Sequence, residues 1–287
     1  ANGALNNSTF INNAATQWGG GVCWGDNHYN GVNGILTGSI FINNTAVSWG
    51  GGVCWCGANS ILTDSTFIGN TVNINSGGGL CIANHGINCT LTNSIFINNT
   101  SNQLHGGGVV WTGINGTLIA CNFTGNSANR YGGGVAWETA NGILSDSIFI
   151  NNTAVSWGGG VCWTAPNGIL SNSDFIENTA TNYAGGLVFG DASINGTVTG
   201  CTFTRNTAIN GYGGGVAWTA PNGILSNCNF VNSQWINNNS NSNGIYAYRN
   251  LTINGGKGIV DIVAIQTISG ISVVVLNNET YYYPPNT

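Results

Sequence analysis

Carboxylates are the side chains from which an active site in this sequence would have to be built. The chain of 287 residues has nine Asp and Glu. Cleavage of a polysaccharide needs two of them close together as acid and base, or several around a calcium ion with a basic partner. Asp64 and Asp146 occupy equal positions of a sequence repeat, but three repeats apart, which corresponds to about 14 Å. Four more fall at scattered repeat positions: Asp26, Glu138, Asp174 and Asp191. We therefore predict no catalytic residues and no enzyme, with a polysaccharide lyase or hydrolase as the least favoured function.

Cysteine and histidine are the residues that would hold a metal. Cys23, Cys54 and Cys81 share one repeat position, and Cys201 and Cys228 share another. There is no paired CxxC motif, and the three histidines stand at different repeat positions: His28, His85 and His105. This arrangement predicts no metal and no cofactor. We interpret the cysteines as small apolar residues that fill narrow slots, with disulfides between chains or adjacent coils as the alternative. Since the total of nine is odd, at least one thiol has no partner within the monomer.

Charge is scarce, which excludes several classes of partner. Only 5% of the residues are charged and the net charge is −5, where about 25% charged residues is ordinary. So few cations argue against nucleic acids and anionic membranes as partners. No apolar stretch approaches the roughly 18 to 20 residues that cross a bilayer, and no signal peptide opens the chain. Glu177 and Arg205, on adjacent repeats, are expected to form a surface ion pair.

Thirteen N-x-S/T sequons are present, as in an exported glycoprotein. An Asn-rich chain also produces such sequons by chance. We take four of them as glycosylation candidates: Asn43, Asn98, Asn151 and Asn195. The predicted location is extracellular, at the cell surface.

A repeat of about 27 residues positions all these side chains. Phe recurs at positions 10, 41, 67, 96, 123, 149, 175, 203 and 230, with Leu or Val five places earlier, and Asn follows it by three places in all but the last repeat. A glycine cluster and a short apolar strand, such as GGGVCW, separate successive Phe blocks. Each unit holds three short β-favouring runs separated by Gly, Asn and Ser turns, and none has a helical period.

This period predicts an all-β fold, a right-handed parallel β-helix of about nine coils. Equal repeat positions then stack about 4.8 Å apart, so nine coils make a rod of about 43 Å. Leu and Phe columns fill the interior, and the Asn column forms an amide ladder at a corner. The Gly triplet marks a corner that needs positive φ or leaves no room for a Cβ. Leucine-rich repeats, helical repeats and propellers have other periods and compositions.

The register of the repeat fails from about Asn232. We predict a repeat domain over residues 1–250, followed at 251–287 by a C-terminal hairpin that caps the last coil or opens a β-sandwich module.

The strand after the glycines is the place to look for an interface, because both of its faces are apolar. We favour Val and Trp pointing inward, with a stripe of Cys, Ala and Val outside; the alternative is an outward Trp ladder suited to stacking on sugar rings. Either stripe would be a contact surface, or would be covered by a loop or by the C-terminal segment. The interface candidates are Cys23, Cys54, Cys81, Trp24, Trp55, Trp111, Trp137, Trp163 and Trp218.

The FINNTA, GGGVCW and NGIL elements resemble those of the adhesin-like surface proteins of methanogenic archaea and, more distantly, of the polymorphic outer-membrane proteins of certain bacteria. Phe41, Asn44 and Gly50 to Val53 carry this resemblance in one coil, and the other coils up to residue 231 repeat it. It implies a secreted β-helix stalk that adheres through a cell-surface glycan or protein receptor. A second hypothesis is a structural subunit that binds copies of itself in a filament or sheath, because the first coil has no polar cap and its strand edges are open.

Overall fold

The computed structural model describes residues 3–25, 32–235, 244–247, 251–255, 262–264, 272–276 and 279–283. Asp26 and His28 lie outside these residues. The described chain is an all-β parallel solenoid of about nine coils, as the repeat predicts. It contains no helix in this part, and so none that could cross a membrane.

The leucine sheet and the phenylalanine sheet form two sides of the solenoid, and each buries one residue type in register. The strands of the leucine sheet are Gly3–Asn6, Gly34–Thr37, Ile61–Thr63, Thr90–Thr92, Thr117–Ile119, Ile143–Ser145, Ile169–Ser171, Thr197–Thr199, Gly223–Ser226, Leu251–Asn254, Ser272–Leu276 and Glu279–Tyr283. The strands of the phenylalanine sheet are Thr9–Ile11, Ile40–Ile42, Thr66–Ile68, Ile95–Ile97, Asn122–Thr124, Ile148–Ile150, Asp174–Ile176, Thr202–Thr204 and Asn229–Val231. Neighbouring Phe rings stack with centroids 4.6 to 5.1 Å apart.

The short sheet and the tryptophan sheet close the coil. The strands of the short sheet are Ala14–Ala15, Thr45–Ala46, Thr71–Val72, Thr100–Ser101, Ser127–Ala128, Thr153–Ala154, Thr179–Ala180, Thr207–Ala208 and Gln234–Trp235. The strands of the tryptophan sheet are Val22–Trp24, Val53–Trp55, Leu80–Ile82, Val109–Trp111, Val135–Trp137, Val161–Trp163, Leu187–Phe189, Val216–Trp218, Ile245–Ala247 and Ile262–Ala264. A coil therefore has four strands, and the prediction of three is wrong. Strands of two residues, such as Thr-Ala, are too short to show an alternating pattern in the sequence.

Left-handed backbone turns separate the first three sheets. The residue between the leucine and phenylalanine strands has positive φ, as in Asp64, Asn93 and Asp146. The residue after the phenylalanine strand does too, as in Asn43, Asn98 and Asn151. Asn, Asp and Gly tolerate this conformation best, which explains their abundance at these two corners.

The predicted amide ladder is confirmed as a column beside the second corner, exposed at Asn13 and buried at Asn44, Asn70, Asn99, Asn126, Asn152, Asn178 and Asn206. The Nδ2 of Asn126 donates to Oδ1 of Asn152 at 3.0 Å and to the carbonyl of Phe96 at 2.9 Å. Its Oδ1 accepts from both the backbone N–H and Nδ2 of Asn99. Each central amide thus satisfies its own polar atoms and a backbone donor of the neighbouring coil.

The strands after Asn232 still belong to the solenoid sheets. Ile245–Ala247 pairs in parallel with Val216–Trp218, and Leu251–Asn254 pairs in parallel with Gly223–Ser226. The last two strands, Ser272–Leu276 and Glu279–Tyr283, are antiparallel neighbours. Sheet pairing therefore crosses residue 250, and the division of the chain into two domains there stays a prediction.

Candidate functional site

A column of mostly aromatic residues stands one place before each glycine cluster and runs along the outside of the solenoid. Backbone bridges hold neighbouring members in register, for example Trp18 to Trp49 and Tyr131 to Trp157. We call this column the aromatic ladder: Trp18, Trp49, Ser76, His105, Tyr131, Trp157, Tyr183 and Tyr212. Its aromatic and histidine side chains are half-buried.

The residue that follows each ladder residue turns the chain, and it is glycine except after Tyr183, where Ala184 has φ of +33°. Gly50, Gly132 and Gly158 all have φ of +63°, and a Cβ on Gly132 would lie 2.2 Å from the Val135 carbonyl oxygen. Other residue types are therefore strained at this position. The turn places the ladder side chain over the outer face of the tryptophan sheet.

The ladder covers the outer stripe of Cys, Ala and Val. Cys54, Cys81 and Ala136 point outward from the tryptophan sheet, yet no more than 2% of their surface is exposed. Trp18 and Trp49 pack on one part of the stripe, and Tyr131, Trp157, Tyr183 and Tyr212 pack on the other. Of the alternatives for this stripe, cover by a loop is the one that the structure shows, and Cys54 and Cys81 are not exposed.

The structure also corrects the tryptophan interface candidates. The favoured inward orientation of Val and Trp is confirmed, and the alternative of an outward Trp ladder on this strand is wrong. Trp24 is half-buried and packs on the core, while five others have no exposed surface: Trp55, Trp111, Trp137, Trp163 and Trp218. Their rings stack inside the solenoid, with 4.6 Å between the centroids of Trp111 and Trp137. They are core residues and present no face to a ligand.

The ladder is not uniform. His105, Tyr131 and Trp157 stack nearly parallel, with centroids 4.5 and 4.7 Å apart, and Arg130 lies 4.9 Å above the Tyr131 ring. Between Trp157 and Tyr183 the stacking breaks, because these two rings meet edge to face at 86°.

Two open clefts lie along the ladder. The first encloses about 160 Å³, and its lining is Trp18, Trp49, Cys54, Cys56, Cys81, Ala83, Asn84, His85 and Thr112. The second encloses about 250 Å³ where the stacking breaks, and its lining is Trp157, Tyr183, Val188, Asp191, Thr219 and Tyr246. Each cleft combines apolar walls with a few polar groups, which is the usual character of a small-ligand site.

Thiols form the floor of the first cleft. Cys54 pairs in register with Cys23 on one neighbouring strand and with Cys81 on the other, which confirms their predicted column. Hydrogen bonds from Cys23, Cys56 and Cys81, together with burial, hold the pKa of Cys54 well above its ordinary value, so this thiol stays protonated at neutral pH. All nine cysteines carry thiols in this structure. No group of three or more potential metal ligands is arranged for an ion within the described ranges.

Two carboxylates of the described residues make contacts with basic side chains. The predicted contact between Glu177 and Arg205 is confirmed, with Nε of Arg205 donating to Oε1 of Glu177 at 2.8 Å. The sequence reading missed a second contact, between Nδ1 of His105 and Oε1 of Glu138, because the two residues occupy different repeat positions. Asp64 and Asp146 occupy corner turns.

The side chains of the four glycosylation candidates are exposed. Asn43, Asn98 and Asn151 lie at the corner after the phenylalanine sheet, and Asn195 belongs to an outer Asn ladder in which its Nδ2 donates to Asn167. Asn99, also a sequon residue, is fully buried in the inner ladder. The four candidate side chains are thus accessible at the surface, and glycosylation itself stays a prediction.

The aromatic ladder is the feature that the sequence reading missed. The sequence carries its signal, since the position before the glycine cluster is Trp, Tyr or His in all coils but one.

One comparison with known proteins bears on this face. The Chlamydia polymorphic membrane protein repeat matches residues 146–163, a segment that runs from the first corner through Trp157 and the glycine cluster to Trp163. No curated protein and no solved structure matches the chain. The protein is a parallel β-solenoid of which one coil is similar to the polymorphic membrane protein repeat.

Proposed function

We propose that the chain is a non-catalytic, adhesin-like protein of the cell surface that binds glycans through the aromatic ladder. The observation that carries this proposal is the regular column of half-exposed Trp and Tyr rings beside two clefts. Half-exposed Trp and Tyr rings combine apolar surface, against which the C–H face of a sugar ring can pack, with a polar N–H or O–H group. The match to a membrane-protein repeat supports a surface location.

The spacing of the ladder suits an extended polymer. Neighbouring rings in the stacked part are 4.5 to 4.7 Å apart, so a chain lying along the solenoid would contact several of them in succession. Weak contacts repeated along one ligand raise its overall affinity. The low net charge of the protein matches a neutral polysaccharide better than a polyanion.

Affinity electrophoresis in gels that contain polysaccharides tests the proposal. We expect at least one neutral polysaccharide to retard the protein, and the double variant Trp157→Ala and Tyr183→Ala to lose most of the retardation. Ile143→Ala with Ile169→Ala, on the exposed face of the leucine sheet, is the matched control and keeps the wild-type mobility shift. The absence of retardation by every polysaccharide in a broad panel overturns glycan binding.

The same samples test the non-catalytic part of the proposal. Reducing ends are measured before and after long incubation of the protein with the polysaccharide that it binds. We expect no increase. Release of new reducing ends, lost in a carboxylate variant such as Asp191→Asn, would show that the protein is a hydrolase or lyase.

A further inference from the structure

The second cleft has walls unlike those of the rest of the ladder. Trp157 and Tyr183 meet at 86°, and the rings of Tyr183 and Tyr246 are inclined by 50° with centroids 6.0 Å apart. Three aromatic rings in different planes therefore surround one space of about 250 Å³. Pockets for drug-sized ligands usually measure roughly 300 to 1,000 Å³, so this space fits a single small group.

A carboxylate lies at the edge of this space. Asp191 is exposed and lines the cleft. In the part of the chain that the structure describes, it has no ion pair, since Arg205 binds Glu177 and Arg130 lies over Tyr131. Among the described residues, no cation competes with a ligand for this negative charge.

From this arrangement we infer that the second cleft binds an alkylammonium group. Aromatic faces attract a cation through the negative potential of their π electrons, and several faces around one cation form the usual site for quaternary ammonium ligands. Asp191 adds an opposite charge beside them. The first cleft, by contrast, is lined by thiols, Trp18, Trp49 and His85, and no described carboxylate lines it.

The inference deepens the proposed function, on which it rests, because it names the chemical group of a glycan that this cleft selects. Two sources supply such a group: the protonated amine of an amino sugar, and the quaternary ammonium of a choline substituent. An N-acetylated sugar has the same ring without the charge.

Isothermal titration of the whole chain with glucosamine, choline and N-acetylglucosamine tests this inference. We expect at least one of the two cations to bind, and N-acetylglucosamine to bind at least about fivefold more weakly than that cation. Raising the pH until the amine of glucosamine is neutral weakens its binding and leaves choline binding unchanged. Equal affinity for glucosamine and N-acetylglucosamine, without choline binding, overturns the inference.

Two variants locate the binding. Asp191→Asn is expected to weaken the cation about three- to tenfold, and Trp157→Ala to weaken it further, while Asp146→Asn, the same charge change at an exposed corner far along the chain, has no effect. Equal binding by the Asp191 and Asp146 variants overturns the site.

The outcome separates this inference from the proposed function. If a neutral polysaccharide is retarded in the gels and no cation is preferred, glycan binding stands and the ammonium site fails. If the cations bind through Asp191 and no polysaccharide is retarded, the site stands and the proposed function fails.

Discussion

At the scale of single residues, the buried amides are the polar groups on which the solenoid depends most. The side chain of Asn126 makes four hydrogen bonds and its backbone N–H donates a fifth to Asn152, which together join it to Phe96, Asn99 and Asn152 on two neighbouring coils. A buried donor or acceptor that loses its partner costs about 1 to 3 kcal/mol. The complete amide ladder is therefore stable, and the loss of a single amide is costly.

Replacement of one buried amide should be far more costly than replacement of an exposed one. We expect Asn126→Ala to lower the free energy of unfolding by about 3 kcal/mol or more, because it leaves donors and acceptors of both neighbours without partners. Asn141→Gly is the control, since Asn141 is an exposed member of the outer ladder and has positive φ, which Gly keeps. It should cost less than about 1 kcal/mol. Denaturant unfolding measures the stability of both variants. Equal losses of unfolding free energy would contradict the role of the amide ladder.

Buried thiols give the stability a pH dependence at the alkaline end. Burial raises the pKa of Cys89 to about 11 and that of Cys121 to about 12, from the ordinary value of 9.0. Between about pH 9 and 12 the unfolded chain loses these protons before the folded chain does. The stabilisation is therefore complete below pH 9 and declines as the pH rises, by on the order of 3 kcal/mol for each thiol.

Cys121→Ser tests this dependence without disturbing the column, because Ser94 and Ser147 occupy the same position in the neighbouring coils. We expect the free energy of unfolding of the variant to fall less steeply than that of the wild type between pH 9 and 12. Asn141→Gly, which removes no thiol and lies in the outer Asn ladder, should leave the slope unchanged. A slope identical in wild type and Cys121→Ser would show that this thiol ionises equally in both states.

At the scale of elements, each glycine of a cluster has a separate structural reason. The first has positive φ, the second lies against backbone, and the third faces a Phe ring. In the fifth cluster, a Cβ on Gly133 would lie 2.5 Å from the carbonyl oxygens of Gly159 and Thr153, and a Cβ on Gly134 would lie 2.8 Å from Cδ1 of Phe149. The cluster is therefore where the tryptophan sheet, the short sheet and the next coil meet most closely.

Substitution of the middle glycine should separate two coils. We expect Gly133→Ala to destabilise the protein by about 2 kcal/mol or more, since backbone atoms must shift to admit the Cβ. Gly125→Asn is the control: its φ is +66°, and Asn98 holds the same corner in the preceding coil. This change should lie within about 1 kcal/mol of the wild type. A thermal melt that shows Gly133→Ala as stable as Gly125→Asn would contradict the close packing.

The repeat made the leucine, phenylalanine, asparagine and inward tryptophan columns predictable, because each is a strict spacing of one residue type that must stack in a solenoid. The short sheet was not predictable, since a pair such as Thr153 and Ala154 has no period. The cover over Cys54 and Cys81 was not predictable either. It depends on the turn at the glycine that follows each ladder residue, and not on the strand itself. The cleft at Asp191 was hidden as well, because it arises from an irregular ring angle between Trp157 and Tyr183, which no repeat position specifies.

At the scale of the whole molecule, we expect the protein to form single rods. Exposed isoleucines form rows on the leucine sheet, including Ile35, Ile61, Ile143 and Ile169 with 40 to 49% exposure. In the second hypothesis, that of a structural subunit, copies of the chain would pack laterally through such rows. Electron microscopy of the purified chain, with and without reductant, should show separate particles about 43 Å long for nine coils. Ordered filaments or sheets would instead favour a structural subunit, and their loss in Ile143→Lys would place the contact.

We propose that one edge of the solenoid, the aromatic ladder, is the binding face and that the remaining sides are scaffold. Hydroxyl-radical footprinting with mass spectrometry, with and without the polysaccharide that retards the protein most, tests it most directly because it reports each side chain. We predict that the ligand protects Trp18, Trp49, Trp157 and Tyr183 from oxidation. The oxidation of Ile143 should be the same with and without the ligand. Protection of the isoleucine rows with the ladder equally oxidised in both samples would contradict it.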